Sequence, residues 1–432
     1  NVGHAAANVV PLSAVIVSPD ATEFVGERVA LLEQVLLASD QTQLIERQQI
    51  DTLLAEQELA ASFGAEGVGQ RVRLGQILRA DVLVMLRRDV IEPGRLNIIV
   101  SETSQGIRLF QATVTLTSDL EADVRVMTEP ILRAIQRSSD PITDIVAVPA
   151  FASHSLTTDQ DHLKIAYARM IEQLIHSHPG LVTVEISEAR ALGKERELSE
   201  GNTSVSRLQP LYLMGSYHHT RQGDTLLFEI DLLLRRGEQV LHQHLSDHAS
   251  AEDAAQSMRH HTSLMLSQAV GLDIPVVDPK AQATELLDLS NEYRQLGDWQ
   301  EAINLLEAAL LLDPSLVEAH YQAILITNDA IFSGYELSRD NDYGVEEITK
   351  VINRWMSMFR HEKSLLEKEF ITKPTGPWQY TREEYWRALY LYSRGPYYLE
   401  SDATRRVDLE ECYELMEVLY KHRQQFRDVM LD

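Results

Sequence analysis

The sequence predicts α/β (α+β) mixed-sheet domains in tandem, followed by an all-α helical-repeat C-terminal domain. Three observations carry this. The same order of apolar strands and amphipathic helices occurs twice in the first two-thirds of the 432 residues. Each occurrence ends in three strands joined by Gly-containing turns, the chemistry of hairpins. From residue 283 the pattern changes to paired helices with small residues at contact positions.

Residues 1–11 read as an N-terminal tail. Ala5-Ala6-Ala7 has the character of a secretory signal's end, with Asn8 as a mature start, so the chain is expected to be exported. No Cys stands there for lipid attachment. The first α/β domain spans 12–138 and a diverged copy spans 142–272. Ala14-Val15-Ile16-Val17 reappears as Ile145-Val146-Ala147-Val148, an offset of 131, and Leu31–Leu36 as Met170–Ile175, an offset of 139. The offset returns to 131 where Leu96 meets Leu227 and Gly106 meets Gly237.

Each copy opens with a short strand, 13–18 or 144–150. A helix follows over 23–38 or 160–177, where Val25, Val29, Leu32 and Leu36 recur at helical spacing. A second strand covers 42–46 or 181–186, and a second helix 47–60 or 187–198. The first copy adds a helix over 70–79. The closing strands are 81–88, 95–103 and 107–116, matched by 211–219, 225–234 and 238–246. A final helix, 120–137 or 251–270, ends each copy. Strand–helix–strand followed by an antiparallel meander makes a mixed sheet with packed helices. Residues 273–282, with Pro275 and Pro279, form a linker to the helical domain, 283–432.

Composition narrows the function. With 39 basic and 65 acidic residues the net charge is -26, which opposes nucleic-acid and anionic-membrane binding. No stretch has the 18 or so apolar residues of a membrane-spanning helix. Cys412 is the single cysteine, so neither an internal disulfide nor a Cys-rich zinc site can form.

The run Leu44-Ile45-Glu46-Arg47-Gln48-Gln49-Ile50-Asp51 through Gln57, followed by Leu74-Gly75-Gln76-Ile77-Leu78-Arg79-Ala80-Asp81-Val82-Leu83-Val84, resembles the curli-secretion-channel (CsgG) family and the related TolB N-terminal domain. The second copy lacks the Glu-Arg-Gln and Ala-Asp signatures. The resemblance implies a non-catalytic envelope domain that assembles with partners; the chain departs from the family in its tight hairpin turns, where curli-type channels insert long amphipathic hairpins, so channel activity is not expected. Residues 283–314 resemble a tetratricopeptide (TPR) repeat through Leu286, Leu289, Tyr293, Gly297-Asp298-Trp299, Ala302, Leu306, Ala309 and Pro314. Ala302 and Ala309 permit close helix approach, and Pro314 stops the second helix. Helices expected at 317–331, 345–359, 361–370, 381–394 and 406–429 continue the array.

Candidate sites are sparse. His218, His219, His242, His244, His248, His260 and His261 fall within 44 residues, and His242 and His244 share one face of a strand. His218, His242 and His244 are therefore the candidates for a metal, although Arg87-Arg88 stand at the His218-His219 position of the first copy and no carboxylate orients the rings. Asp340–Gly344 matches a calcium loop poorly, with Gly at position five and Val351 at twelve. No catalytic motif and no cofactor motif is recognisable, so a non-enzymatic chain is expected. Trp378, Tyr380, Tyr385, Trp386, Tyr390, Tyr392, Tyr397 and Tyr398 place eight aromatics in 21 residues, a candidate partner-binding surface. The expected function is an exported bacterial envelope scaffold, in the periplasm or on the cell surface, working through protein partners or as a homo-oligomer. A subunit of an outer-membrane secretion pore and a His-dependent metal-binding protein are the alternatives.

Overall fold

The computed structural model describes residues 12–18, 23–39, 42–45, 61–89, 94–155, 160, 162–199, 208–222 and 225–316, with isolated positions up to 326. The first lobe contains β1 (Leu12–Val17), α1 (Glu23–Leu37), β2 (Thr42–Leu44), α2 (Val68–Leu78), β3 (Val82–Arg88), β4 (Arg95–Glu102), β5 (Arg108–Thr115) and α3 (Leu120–Arg137). The second contains β6 (Asp144–Ala147), β7 (Ala152–Ser153), α4 (Leu163–His176), β8 (Leu181–Val184), α5 (Ile186–Ser199), β9 (Leu211–Gln222), β10 (Thr225–Arg236), β11 (Gln239–His248) and α6 (Ala251–Val270). A helical hairpin, α7 (Pro279–Leu296) and α8 (Trp299–Leu312), follows. The helix expected at 47–60 lies outside the described residues.

The two sheets share one topology. The orders are β2-β1-β3-β4-β5 and β8-β6-β9-β10-β11. The first strand of each lies parallel to both neighbours, and the last three form an antiparallel meander. β7, which pairs with β9, was not expected from the sequence.

Register corrects the expected offset of 131. Ala14 and Ile16 face the core under α1 and α3, while Val15 and Val17 face α2. In the second lobe Val146 and Val148 take the corresponding core face, and Ile145 and Ala147 turn to α5. Ala14 therefore corresponds in orientation to Val146, not Ile145. Leu96 likewise points into its core, whereas Phe228 and Ile230, not Leu227, do so in β10. A slip of one residue inverts a strand's faces, and similar Val/Ile/Ala letters do not detect it.

Local chemistry fixes the element ends. Asp119, Ser250, Asp278 and Asp298 cap their helices by accepting from the backbone N–H groups of Ala122, Asp253, Ala281 and Glu301. Asp81 ties two strands: its carboxylate accepts from the Ser13 backbone N–H at 3.0 Å and from the Ser13 hydroxyl at 2.6 Å. In the first lobe a buried ion pair, Arg28 Nη2–Asp123 at 2.7 Å, joins α1 to α3 inside a shell of Val25, Val29, Val124 and Met127. Each fully buried aliphatic side chain contributes about 1.5–3 kcal/mol relative to exposure.

Candidate functional site at a three-way junction

The helical hairpin is a wall of both lobes. Leu296, at the end of α7, is fully buried in the first lobe's core. Ala283, Leu286, Leu305, Ala308, Ala309 and Leu312 belong to the second lobe's core with Met170 and Met258. Gly297 makes the turn with φ +82°, and a Cβ there would lie 2.5 Å from Thr115 Oγ1 of β5. Glycine is required both for the left-handed conformation and for the close approach. Tyr293 packs on Phe110 with ring centroids 6.3 Å apart, and its hydroxyl lies 3.4 Å from the Gln111 carbonyl oxygen.

Polar groups complete these joints. Gln282 donates to the Met170 carbonyl at 2.7 Å and accepts from Arg259 Nε at 2.7 Å. Arg169 of α4 bridges to Glu301 of α8, and Arg133 of α3 to Glu292 of α7 at 2.8 Å. The lobes also meet directly. Arg71 of α2 is fully buried and pairs with Glu188 of α5 while donating to the carbonyls of Ser62, Gly64 and Gly106. Glu188, only 1% exposed, also accepts from the backbone N–H and Nε of Arg108, each at 3.0 Å. Arg108 reaches Glu185 at 3.0 Å. Around this cluster Val68 and Ile107 of one lobe pack with Ile145, Val182, Ala189 and Leu192 of the other.

Where the lobes and hairpin converge lies a cavity of about 440 Å³. β5, α3, α4, β8 and the hairpin supply its walls, and the edge strands of both sheets, β5 and β8, border it. Pro130, inside α3, lies on this wall. Three of the lining arginines hold carboxylates: Arg108 with Glu185 and Glu188, Arg133 with Glu292, Arg169 with Glu172 and Glu301. Burial works to lower the Arg169 pKa, but its two carboxylates hold it above the ordinary value. Burial raises Tyr293, with the Glu301 charge adding to the effect. It lowers Arg71 to about 10, so this guanidinium stays charged at neutral pH despite its position.

Arg137 differs. Its Nη2 donates to the Leu181 carbonyl at 2.8 Å, and among the described residues no carboxylate lies within ion-pair distance. Burial lowers its pKa, and Asp140 offsets this from further away. His176, in the last turn of α4, bonds through Nε2 to Thr183 Oγ1. Its ring lines the cavity from an exposed position at the end of the helix. Desolvation within the cavity, and then the nearby Arg137 and Arg169 charges, push its pKa down from the ordinary imidazole value.

The histidine candidates do not form one site. His242 and His244 share a face, opposite Leu234 and Leu232 of β10, but His218 is opposite Glu229 and points the other way. Pleat alternation separates them. Among the described residues no group of three His, Cys, Asp or Glu is placed to hold a metal. His244 instead stacks on His261 of α6, centroids 3.3 Å apart, with His260 edge-on to His261. The TPR positions Leu286, Ala302, Leu306 and Ala309 are fully buried. The aromatic stretch 378–398 and Asp340–Gly344 lie outside the described residues. The junction itself was missed by sequence reasoning, because Arg71 and Glu188 are 117 residues apart and no local signal links them.

Comparison with protein families agrees with two of the resemblances. Neither the curated proteins nor the solved structures offer a significant match to the chain. The matched families point to a protein-interaction or secretion-related envelope protein. No described helix is long and apolar enough to cross a membrane. Residues 12–87 match the family of the curli production assembly/transport component CsgG, and residues 291–323 match a TPR repeat.

Proposed function

We propose that this chain is a non-enzymatic, exported envelope scaffold built from two copies of a CsgG-like domain and a TPR-like region. The observation that carries this reading is the junction. A buried ion cluster joins the lobes, and one helical hairpin fills parts of both cores. Such a body holds its surfaces at fixed relative positions, which is what a scaffold requires. The shared sheet topology supports duplication, and the two family matches support the envelope and protein-interaction reading. The exposed side of α7 carries Lys280, Thr284, Glu285, Asp288 and Gln295, a polar stripe. Partner contact is therefore assigned to the aromatic stretch Trp378–Tyr398 rather than to this first helix pair.

The test is affinity capture from a bacterial envelope extract with the full chain, beside a variant in which Trp378, Tyr380, Tyr385 and Trp386 are changed to Ser. A protein captured stoichiometrically by the wild type and lost from the folded variant is the expected result. Light scattering over a concentration series tests self-assembly, and a monomer at every concentration would remove that element.

A further inference from the structure

We propose that the junction cavity binds a small organic anion, a carboxylate or a phosphate ester, at the end formed by Arg137, His176 and Thr183. This goes beyond the scaffold reading and can fail independently of it. The placement follows from charge pairing. The other cavity arginines are occupied: Arg108 by Glu185 and Glu188, Arg133 by Glu292, Arg169 by Glu172 and Glu301. Arg137 alone among them meets only a backbone carbonyl, that of Leu181, which leaves most of its planar fork available for bidentate recognition of an oxyanion.

Thr183 lies two residues along β8 from Leu181, so its side chain shares the sheet face that meets α4, and its hydroxyl bonds the His176 ring near the Arg137 head. Carboxylates line the cavity on several sides, Glu292, Asp298 and Glu301 on the hairpin, Glu172 on α4 and Glu185 and Glu188 just beyond β8, but Glu172, Glu185, Glu188, Glu292 and Glu301 are each paired with an arginine other than Arg137. A volume of about 440 Å³ suits a small metabolite. An anion seated there would also favour the protonated imidazole that Arg137 and Arg169 now oppose, so binding takes up a proton and strengthens as pH falls toward 6.

The experiment is calorimetric titration of the full chain with succinate and, separately, inorganic phosphate, each against sodium chloride at equal ionic strength. The expected result is saturable one-site binding of at least one probe. It should weaken tenfold or more in Arg137→Gln and stay within twofold in Arg133→Gln. Saturation by succinate alone identifies a carboxylate ligand, and by phosphate alone a phosphate ester. Between pH 7.5 and 6 succinate binding should strengthen relative to that of His176→Asn, a comparison in which the probe's own titration cancels. Absence of saturation by both probes, or equal binding by Arg137→Gln, overturns the proposal. If Arg137→Gln does not fold, the His176 ring signals of wild-type protein decide it, since unmoved signals at saturating probe also overturn it.

Discussion

Replacing Glu188 by Ala should be among the most destabilising single changes available to the described part of the chain. Its carboxylate is 1% exposed and faces two guanidinium groups, Arg71 and Arg108, of which Arg71 is fully buried. Removing it strands two like charges in the interface between lobes. Breaking a buried ion pair from one side costs about 3–5 kcal/mol, and the loss of the hydrogen bond from the Arg108 backbone N–H belongs to the same cost. Arg108 keeps Glu185 and Gln111, which places the effect within this range rather than above it. Arg71→Met alone should cost a similar amount, because Glu188 is then left with Arg108 only and three carbonyls lose their donor. The double variant Arg71→Met/Glu188→Leu should recover part of the loss, since an apolar pair of matching volume can replace a buried ion pair at little cost. Urea unfolding of the wild type, Arg71→Met, Glu188→Leu and the double variant, followed by circular dichroism, forms a double-mutant cycle, and a coupling of about 2 kcal/mol is expected. A loss below about 1 kcal/mol for Glu188→Ala, or strict additivity, would refute the claim that this cluster fastens the lobes.

Gly297→Ala should cost roughly 2–4 kcal/mol, because it adds left-handed strain to a clash with Thr115, and thermal unfolding will measure it. Gly297→Ala combined with Thr115→Gly should regain the clash portion and leave the conformational portion. For the stacked His244 and His261, burial first and the neighbouring imidazoles second hold both pKa values below the ordinary 6.5. Across the window below about 6.5 the unfolded chain therefore binds more protons, so stability present at pH 7 is lost as pH falls. Urea midpoints at pH 7.5 and 5.5 should show a larger drop in wild type than in His244→Asn/His261→Asn, and equal drops would dismiss the stack as a cause.

Much of the fold was legible because it rests on local signals. The order of elements follows from periodicity, and the end of α7 from Gly297 and Asp298. The TPR match located the helix pair because Ala302 and Ala309 are small for a packing reason that the structure bears out. Register was not legible. Strands β1 and β6 are apolar on both faces, so no alternation marks which residues face α1 and which face α2. The expected repeat therefore aligned letters and missed orientation. The candidate site was less legible still. Arg71, Glu188, Arg137 and His176 each look like ordinary helix residues, and only the meeting of three separate parts gives them a common role. Histidine clustering drew attention because it is visible as composition, yet pleat geometry divides the group between two faces.

The insertion of Leu296 and Leu312 into the two α/β cores sets a timetable for biosynthesis. The first lobe's last helix ends at Arg137, but the residue that seals its core comes about 160 positions later. At elongation rates of about 5–20 residues per second, roughly 8–30 seconds pass before that residue is made. For that interval the first core is covered by α1 and α3 but lacks the side chain that closes its remaining side. A product cut off near residue 272 would lack the hairpin side chains that belong to both cores.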